Sequence, residues 1–282
     1  EKGENASILA QKIIDSLSEP IYIDEHTFYV TCSIGISLYP QDDKDMNKLL
    51  RYADTAMYKA KKEGINNFQF YASEMTALAM DNVMMQANLH TALQNEEFVV
   101  YYQPQINAKT LQHIGMEALV RWEHPSMGLI TPSKFISIAE ETGFIVDLDQ
   151  WVMKKAMKQM VQWKQQGLNT GILALNLSVK QLHQKDFIPL FKNMLIETGC
   201  NAECLELEVT EGQIMNHPED AIAVLNKIRN MGAELAIDDF GTGYSSLAYL
   251  KRLPIDKLKI DKTFISGLPG DEEDIGIAKA VI

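Results

Sequence analysis

Residues 235–249 of the 282-residue chain read LAIDDFGTGYSSLAY, which places two adjacent aspartates directly after an apolar, strand-like run. Like charges repel, and a carboxylate at a buried strand end is costly unless a cation compensates it. Gly241 and Gly243 follow Asp238 and Asp239, and glycine permits the tight loop that such a site needs. The stretch therefore predicts a strand whose C-terminal end places two carboxylates beside a bound cation.

From residue 98 onward, short β-branched and aromatic runs alternate with longer helical stretches. The predicted strands are FVVYYQ (98–103), GMEALVRW (115–122), ILALNLS (172–178), LELEVT (205–210), ELAID (234–238) and KLKID (257–261). Such alternation is typical of parallel strands covered by helices. A closed eight-stranded barrel usually takes about 250 residues, whereas here the sequence stops after six predicted strands. We therefore expect an α/β fold containing an incomplete (β/α)8 barrel of the TIM type.

Polar side chains occupy the ends of five of these strands, where a barrel of this type forms its active site. They are Glu117, Asn176, Ser178, Glu208, Asp238, Asp239, Lys259 and Asp261. Oxygen ligands without histidine or cysteine suit Mg²⁺ or Mn²⁺. One of the adjacent aspartates could bridge two ions, an arrangement suited to phosphodiester hydrolysis. Lys259 would then act as an electrostatic partner or proton-transfer group. The alternative is a set of solvated strand ends that share no ligand.

The strand-end segments resemble the successive motifs of a known family. They are YYQP (101–104), EALVRW (117–122), NLS (176–178), EVTE (208–211), DDFGTGYSSL (238–247) and KLKIDKTFI (257–265). In this order they resemble the EAL domain, a family of phosphodiesterases that cleave cyclic di-GMP to linear 5′-pGpG. The resemblance implies a bacterial signalling enzyme and a barrel whose first strand runs antiparallel to the others. It also implies cyclic di-GMP as the partner, and a homodimer formed through the EAL domain.

The resemblance implies roles for individual residues. The metal ligands are Glu117, Asn176, Glu208 and Asp238 for one Mg²⁺ or Mn²⁺, and Asp238 with Asp239 for a second. The catalytic group is Lys259 together with Glu117, Asp238 and Asp239, and the substrate-binding positions are Gln103, Leu119 and Arg121. The DFGTGYSS segment resembles the loop that couples metal binding to dimer contacts. Glu211 follows its strand and is expected to orient its surroundings rather than bind a metal.

The N-terminal region resembles the C-terminal half of a GGDEF domain, which has the α+β diguanylate cyclase fold. The match lies in SIGISLYP (33–40) and ADTAMYKAKKEGINNFQFY (53–71). We predict a partial GGDEF domain over residues 1–72, a helical connector over 73–93 and an EAL domain over 94–282. The Gly-Gly-Asp-Glu-Phe signature is absent from the sequence, so no cyclase activity is assigned to it.

The C-terminal end departs from the EAL pattern. The family continues with a seventh strand that carries a glutamate and an eighth that carries a glutamine, and neither segment occurs here. We expect a fragment of a tandem GGDEF–EAL protein, with an active parent and impaired activity in residues 1–282. The alternative function is a degenerate receptor that binds cyclic di-GMP without cleaving it. A receptor of that kind would more readily have lost Glu117 or one of the paired aspartates.

The amino-acid composition limits the classes of partner and the cellular setting that we expect for the protein. The net charge of −12 argues against a protein held to a nucleic-acid polymer by a positive field. No apolar run approaches the roughly 20 residues that a membrane span requires. The three cysteines form no CxxC pair, which favours structural thiols in a reducing, cytoplasmic setting. A membrane anchor of the parent would lie in N-terminal regions that precede this sequence.

Overall fold

A computed structural model describes residues 2–23, 26–28, 30–64, 66–215, 218–241, 251–271, 275–276 and 278–279. The chain forms two compact units, Glu1–Ala87 and Asn88–Ile282. Among the helices in these ranges, none has both the length and the apolar character needed to cross a bilayer.

The first unit combines helices with short strands. Its elements are α1 (Lys2–Ser18), β1 (Ile21–Ile23), β2 (His26–Phe28), β3 (Ser33–Ile36), α2 (Met46–Glu63), β4 (Asn67–Phe70) and the beginning of α3 (Ser73–Gln94). Strands β1 and β2 pair in antiparallel orientation, while β3 and β4 pair in parallel. Asp45 caps α2 by accepting hydrogen bonds from the backbone N–H groups of Asn47 and Lys48, which would otherwise lack partners.

The second unit is built on one sheet with helices interspersed between its strands. The strands are β5 (Phe98–Ile106), β6 (His113–His124), β7 (Gly128–Ile130), β8 (Ile172–Asn176), β9 (Leu205–Thr210), β10 (Glu234–Phe240) and β11 (Lys257–Ile260). The helices are α4 (Pro132–Thr142), α5 (Ile145–Gln165), α6 (Val179–Leu182), α7 (Phe187–Thr198), α8 (Glu211–Met215) and α9 (Pro218–Arg229).

The sheet has the strand order β11-β10-β9-β8-β6-β5. Strand β5 runs antiparallel to β6, whereas β6, β8, β9, β10 and β11 run parallel to one another. This arrangement confirms the α/β barrel-type fold and its antiparallel first strand. The short strand β7, which pairs with β6, was not predicted. The third predicted strand ends at Asn176 rather than Ser178, because Ser178 caps α6 by accepting a hydrogen bond from the Gln181 N–H.

Strand β9 places apolar side chains on one face of the sheet and acidic side chains on the other. Leu205, Leu207 and Val209 belong to the large core cluster that includes the buried side chains of α7 and α9. Burial of each large apolar side chain contributes about 1.5–3 kcal/mol. Glu206 and Glu208 alternate with these residues and are also buried, so they share the opposite face. The apolar packing of one face therefore fixes the position of two buried carboxylates on the other.

Residues 73–93, the predicted connector, lie within helix α3. The domain limits at residues 72 and 94, and the role of this helix as a connector, remain predictions.

We predict that Gly171 is essential to the packing of the loop before β8. Its φ of +59° is unfavourable for other residues, and an added Cβ would lie 2.1 Å from the Ile114 carbonyl oxygen. Gly167 in the same loop has a φ of +81° but no atom within 4 Å of such a Cβ. Gly167→Ala should therefore cost about 1 kcal/mol from its backbone conformation alone. Gly171→Ala should cost at least about 2 kcal/mol more, because the backbone must shift.

Urea unfolding followed by tryptophan fluorescence measures this difference, since Trp122, Trp151 and Trp163 all lie in the second unit. Equal losses in the two variants would contradict the close approach at Gly171.

Candidate active site

The register of the parallel strands gathers polar residues at one end of the sheet. Asn176 of β8 lies beside Glu208 of β9, and Glu208 lies beside Ala236 of β10. Asp238 is therefore two residues further along β10. Since the strands are parallel, their carboxyl ends meet at the same edge. Five of the predicted site residues are brought together there: Glu117, Asn176, Glu208, Asp238 and Lys259.

Three carboxylates form the centre of the site. Glu117, Glu208 and Asp238 each offer an oxygen atom, and these atoms lie within 4.8 Å of one another. The Nζ atom of Lys259 lies 2.6 Å from Oε2 of Glu208, 3.0 Å from Oε2 of Glu117 and 3.1 Å from Oδ2 of Asp238. Asn176 completes the group, because its Nδ2 donates to Oε1 of Glu117 at 3.0 Å. The cluster thus contains more negative than positive charge.

The pKa of Glu208 reflects both its burial and the excess of negative charge around it. Burial, opposed by Lys259 and assisted by the nearby Glu117 and Asp238 carboxylates, raises the pKa of Glu208 to about 8. Burial also disfavours the charged form of Lys259, but Glu208, Glu117 and Asp238 outweigh it and raise the pKa of Lys259 above its usual value. One ammonium group therefore does not supply enough positive charge to keep all three carboxylates ionised near neutral pH.

The donor set fits a hard divalent cation. It consists of carboxylates and one amide, which are the ligand types preferred by Mg²⁺ and Mn²⁺. Glu208 Oε1 is buried and has no hydrogen-bond partner among the described residues. A buried oxygen without a partner carries a free-energy cost that a metal ion would remove. The acidic cluster can therefore bind a metal.

Asp239 lies apart from the three central carboxylates. It has a φ of +52°, and its backbone N–H donates to Oδ1 of Asp238 at 3.0 Å. Burial raises the pKa of Asp239, and the neighbouring Asp238 and Asp261 carboxylates add to the effect. Asp261, noted at a strand end but not assigned to the site, also exchanges a side-chain hydrogen bond with Asp239. The binding of a second ion by Asp238 and Asp239 remains a prediction.

Glu211 supports the loop that follows β10. Its carboxylate is buried, and Oε2 accepts a hydrogen bond of 3.0 Å from the backbone N–H of Gly241. This contact agrees with the expected orienting role, since it fixes the backbone immediately after Asp238 and Asp239. Residues 242–250, which contain most of the DFGTGYSS loop, lie outside the described residues.

The predicted substrate-binding residues lie on β5 and β6. Gln103 is exposed and pairs in register with Glu117. Arg121 donates from Nη1 to the Val120 carbonyl oxygen at 2.8 Å, and its guanidinium lies 5.7 Å from the centre of the Tyr101 ring. Neither contact joins Arg121 to the three carboxylates.

A cavity of about 330 Å³ adjoins the carboxylates. Leu119 lines it together with Glu117, Asn176, Glu208 and Asp149. Asp149, on helix α5, was missed by the sequence analysis. The available signal was an acidic side chain directly after the buried Leu148 on the apolar side of an amphipathic helix. Asp149 Oδ2 accepts a hydrogen bond of 3.1 Å from the Ser178 N–H, which ties α5 to the segment after β8.

Family models identify both parts of the chain. The model named EAL domain matches residues 86–282, so the chain belongs to the EAL domain family. The model named Diguanylate cyclase, GGDEF domain matches residues 1–67. The predicted resemblance to a tandem GGDEF–EAL protein is confirmed in both parts.

Individual relatives are similar along almost the whole chain. The bifunctional diguanylate cyclase/cyclic di-GMP phosphodiesterase MucR of Pseudomonas aeruginosa is 41% identical over 278 residues, covering 99% of this chain and 41% of MucR. The cyclic di-GMP phosphodiesterase NbdA of the same organism is 38% identical over 281 residues, covering 100% of this chain and 36% of NbdA. The chain spans about two fifths of the length of these curated relatives.

A solved structure described as the PaMucR phosphodiesterase in complex with c-di-GMP has the same fold. It superposes with a TM-score of 0.67 at 42% sequence identity, covering 70% of this chain and 80% of that one.

We predict that Asp149 makes stability depend on pH. Burial raises the pKa of Asp149 to about 7, so the folded protein holds this proton more tightly than the unfolded chain does. Stability from this group is therefore present at low pH and is lost as the pH rises from about 4 through 7. Relative to Asp149→Asn, which does not titrate, the wild type should lose about 2 kcal/mol of unfolding free energy between pH 5 and pH 8.

Urea unfolding at several pH values measures this loss. Asp147→Asn, an exposed position on the same helix, serves as the control and should show the wild-type profile. Parallel profiles for the wild type and Asp149→Asn would contradict the prediction.

Proposed function

We propose that the EAL part of the chain hydrolyses cyclic di-GMP to linear 5′-pGpG with two Mg²⁺ or Mn²⁺ ions. The observation that carries this proposal is the meeting of the Glu117, Glu208 and Asp238 carboxylates, which come from three different strands. Three carboxylates so close together are unfavourable for folding unless they serve a cation. The names of the relatives MucR and NbdA, and the cyclic di-GMP in the related MucR structure, support the choice of substrate.

The proposed ligands would form two sets, one for each metal ion. Glu117, Asn176, Glu208 and Asp238 would hold one, and Asp238 with Asp239 would hold the other. Bound divalent ions in such a pair activate water and offset charge on the phosphoryl group. Lys259 already lies within hydrogen-bonding distance of the carboxylates and would contribute positive charge beside the reacting phosphate.

The cavity beside the carboxylates would receive part of the dinucleotide. Its volume of about 330 Å³ is at the low end for small-molecule sites, so the remainder of the ligand would extend over exposed groups such as Gln103. Leu119 offers an apolar wall. Arg121 would turn from the Val120 carbonyl to a phosphate, for which its forked donors are well suited.

A homodimer through the EAL part and a cytoplasmic location belong to the same proposal. The small number of cysteines supports the cytoplasmic location.

Chromatographic measurement of pGpG release by the purified protein tests the activity. Asp238→Asn should lower turnover at least about 100-fold, because it removes a charged ligand shared by both ions. Glu234→Gln, at the opposite end of the same strand, is the matched control and should stay within about two-fold of the wild type. Chelation of divalent ions should abolish release in every form.

Turnover that survives chelation, or an Asp238→Asn variant as active as the wild type, would contradict the proposal. Calorimetric binding of cyclic di-GMP without any pGpG release would instead favour the receptor function.

A further inference from the structure

The ammonium group of Lys259 is fully engaged by the acidic cluster. A lysine has three N–H donors, and Nζ of Lys259 lies within hydrogen-bonding distance of three different carboxylates, at 2.6, 3.0 and 3.1 Å. These belong to Glu208, Glu117 and Asp238. Each donor thus has one carboxylate available as its acceptor, so the lysine bridges strands β6, β9 and β10.

These are the same three carboxylates that form the candidate metal cluster. A divalent ion would need their oxygens at about 2.0–2.6 Å, and their ligand atoms lie within 4.8 Å of one another. An ion at that distance from all three and an ammonium that contacts the same three carboxylates would be only a few Å apart. Their repulsion would be strong at such short range in a partly buried site, so both cannot keep these contacts at once.

A second observation indicates that lysine does not fully satisfy the cluster. The side chain of Glu208 is buried, yet its Oε1 has no hydrogen-bond partner among the described residues. The lysine has no donor left for this oxygen. A divalent ion accepts six or more oxygen ligands and could engage more of the acceptors than three N–H groups can.

We propose that Lys259 is a built-in counter-cation that fills the divalent-ion site in the metal-free protein and must move aside when the ion binds. The side chain then has two effects: it stabilises the metal-free fold, and it weakens the affinity for the metal by competing for the same oxygens. This inference rests on the proposed function, because it takes Glu117, Glu208 and Asp238 as metal ligands.

The chain offers a matched control for the loss of one positive charge. Lys257 lies two residues earlier on β11, on the same face as Lys259. It forms an ion pair with Glu206, which lies two residues before Glu208 on β9 and is also buried. Lys257→Met therefore removes the same charge from a similar pair, one layer below the metal cluster.

Calorimetric titration with Mn²⁺ and thermal unfolding with and without Mn²⁺ test the proposal. Lys259→Met should bind Mn²⁺ at least ten-fold more tightly than the wild type. Its melting temperature should fall in the absence of metal and recover on addition of Mn²⁺. Lys257→Met should also have a lower melting temperature than the wild type, but Mn²⁺ should not restore it. The affinity of this variant for Mn²⁺ should stay within about three-fold of that of the wild type.

Lys259→Gln, which is neutral but keeps two donors, provides a second variant should Lys259→Met fail to fold; its affinity should rise by a smaller factor. Unchanged or weaker Mn²⁺ binding by the folded Lys259 variants, with normal binding by the wild type, would overturn this inference and leave the proposed function standing. Absence of Mn²⁺ binding in the wild type and in all variants would overturn both.

Discussion

The parallel register of the sheet forces acidic side chains together. Pairing of Asn176 with Glu208, and of Glu208 with Ala236, fixes the relative heights of β8, β9 and β10 through backbone hydrogen bonds. The apolar face of β9 is committed to the helix-covered core. The strand cannot rotate to expose Glu208 without losing that packing. A buried carboxylate near two others is thus a consequence of the fold, and a cation must compensate it.

The charged side chains on this face of the sheet form two layers with different charge balance. In the lower layer, Glu206 faces Lys257, one carboxylate to one ammonium. In the upper layer, Lys259 faces three carboxylates at once. The same two strands, β9 and β11, supply one acid–lysine pair to each layer. The additional acids from β6 and β10 are what convert a structural ion pair into a site with unbalanced negative charge.

Much of this arrangement could be predicted from the sequence, because each of the six main strands combines an apolar run with a polar residue at its end. The three-residue strand β7 was missed, since so short a segment has no detectable period. Asp149 was missed because it lies on a helix, whereas the predicted site residues all come from strand segments. The side-chain contacts of Arg121 and the turning of Asp239 toward Asp261 depend on tertiary packing, which no local pattern encodes.

The position of manganese in a crystal grown with Mn²⁺, located by its anomalous scattering, tests the metal site most directly. We expect a peak at about 2.0–2.4 Å from oxygens of Glu117, Asn176, Glu208 and Asp238, with Lys259 withdrawn from at least one of the carboxylates. A crystal containing Mn²⁺ but showing no peak among these side chains, with Lys259 still bound to all three acids, would contradict it.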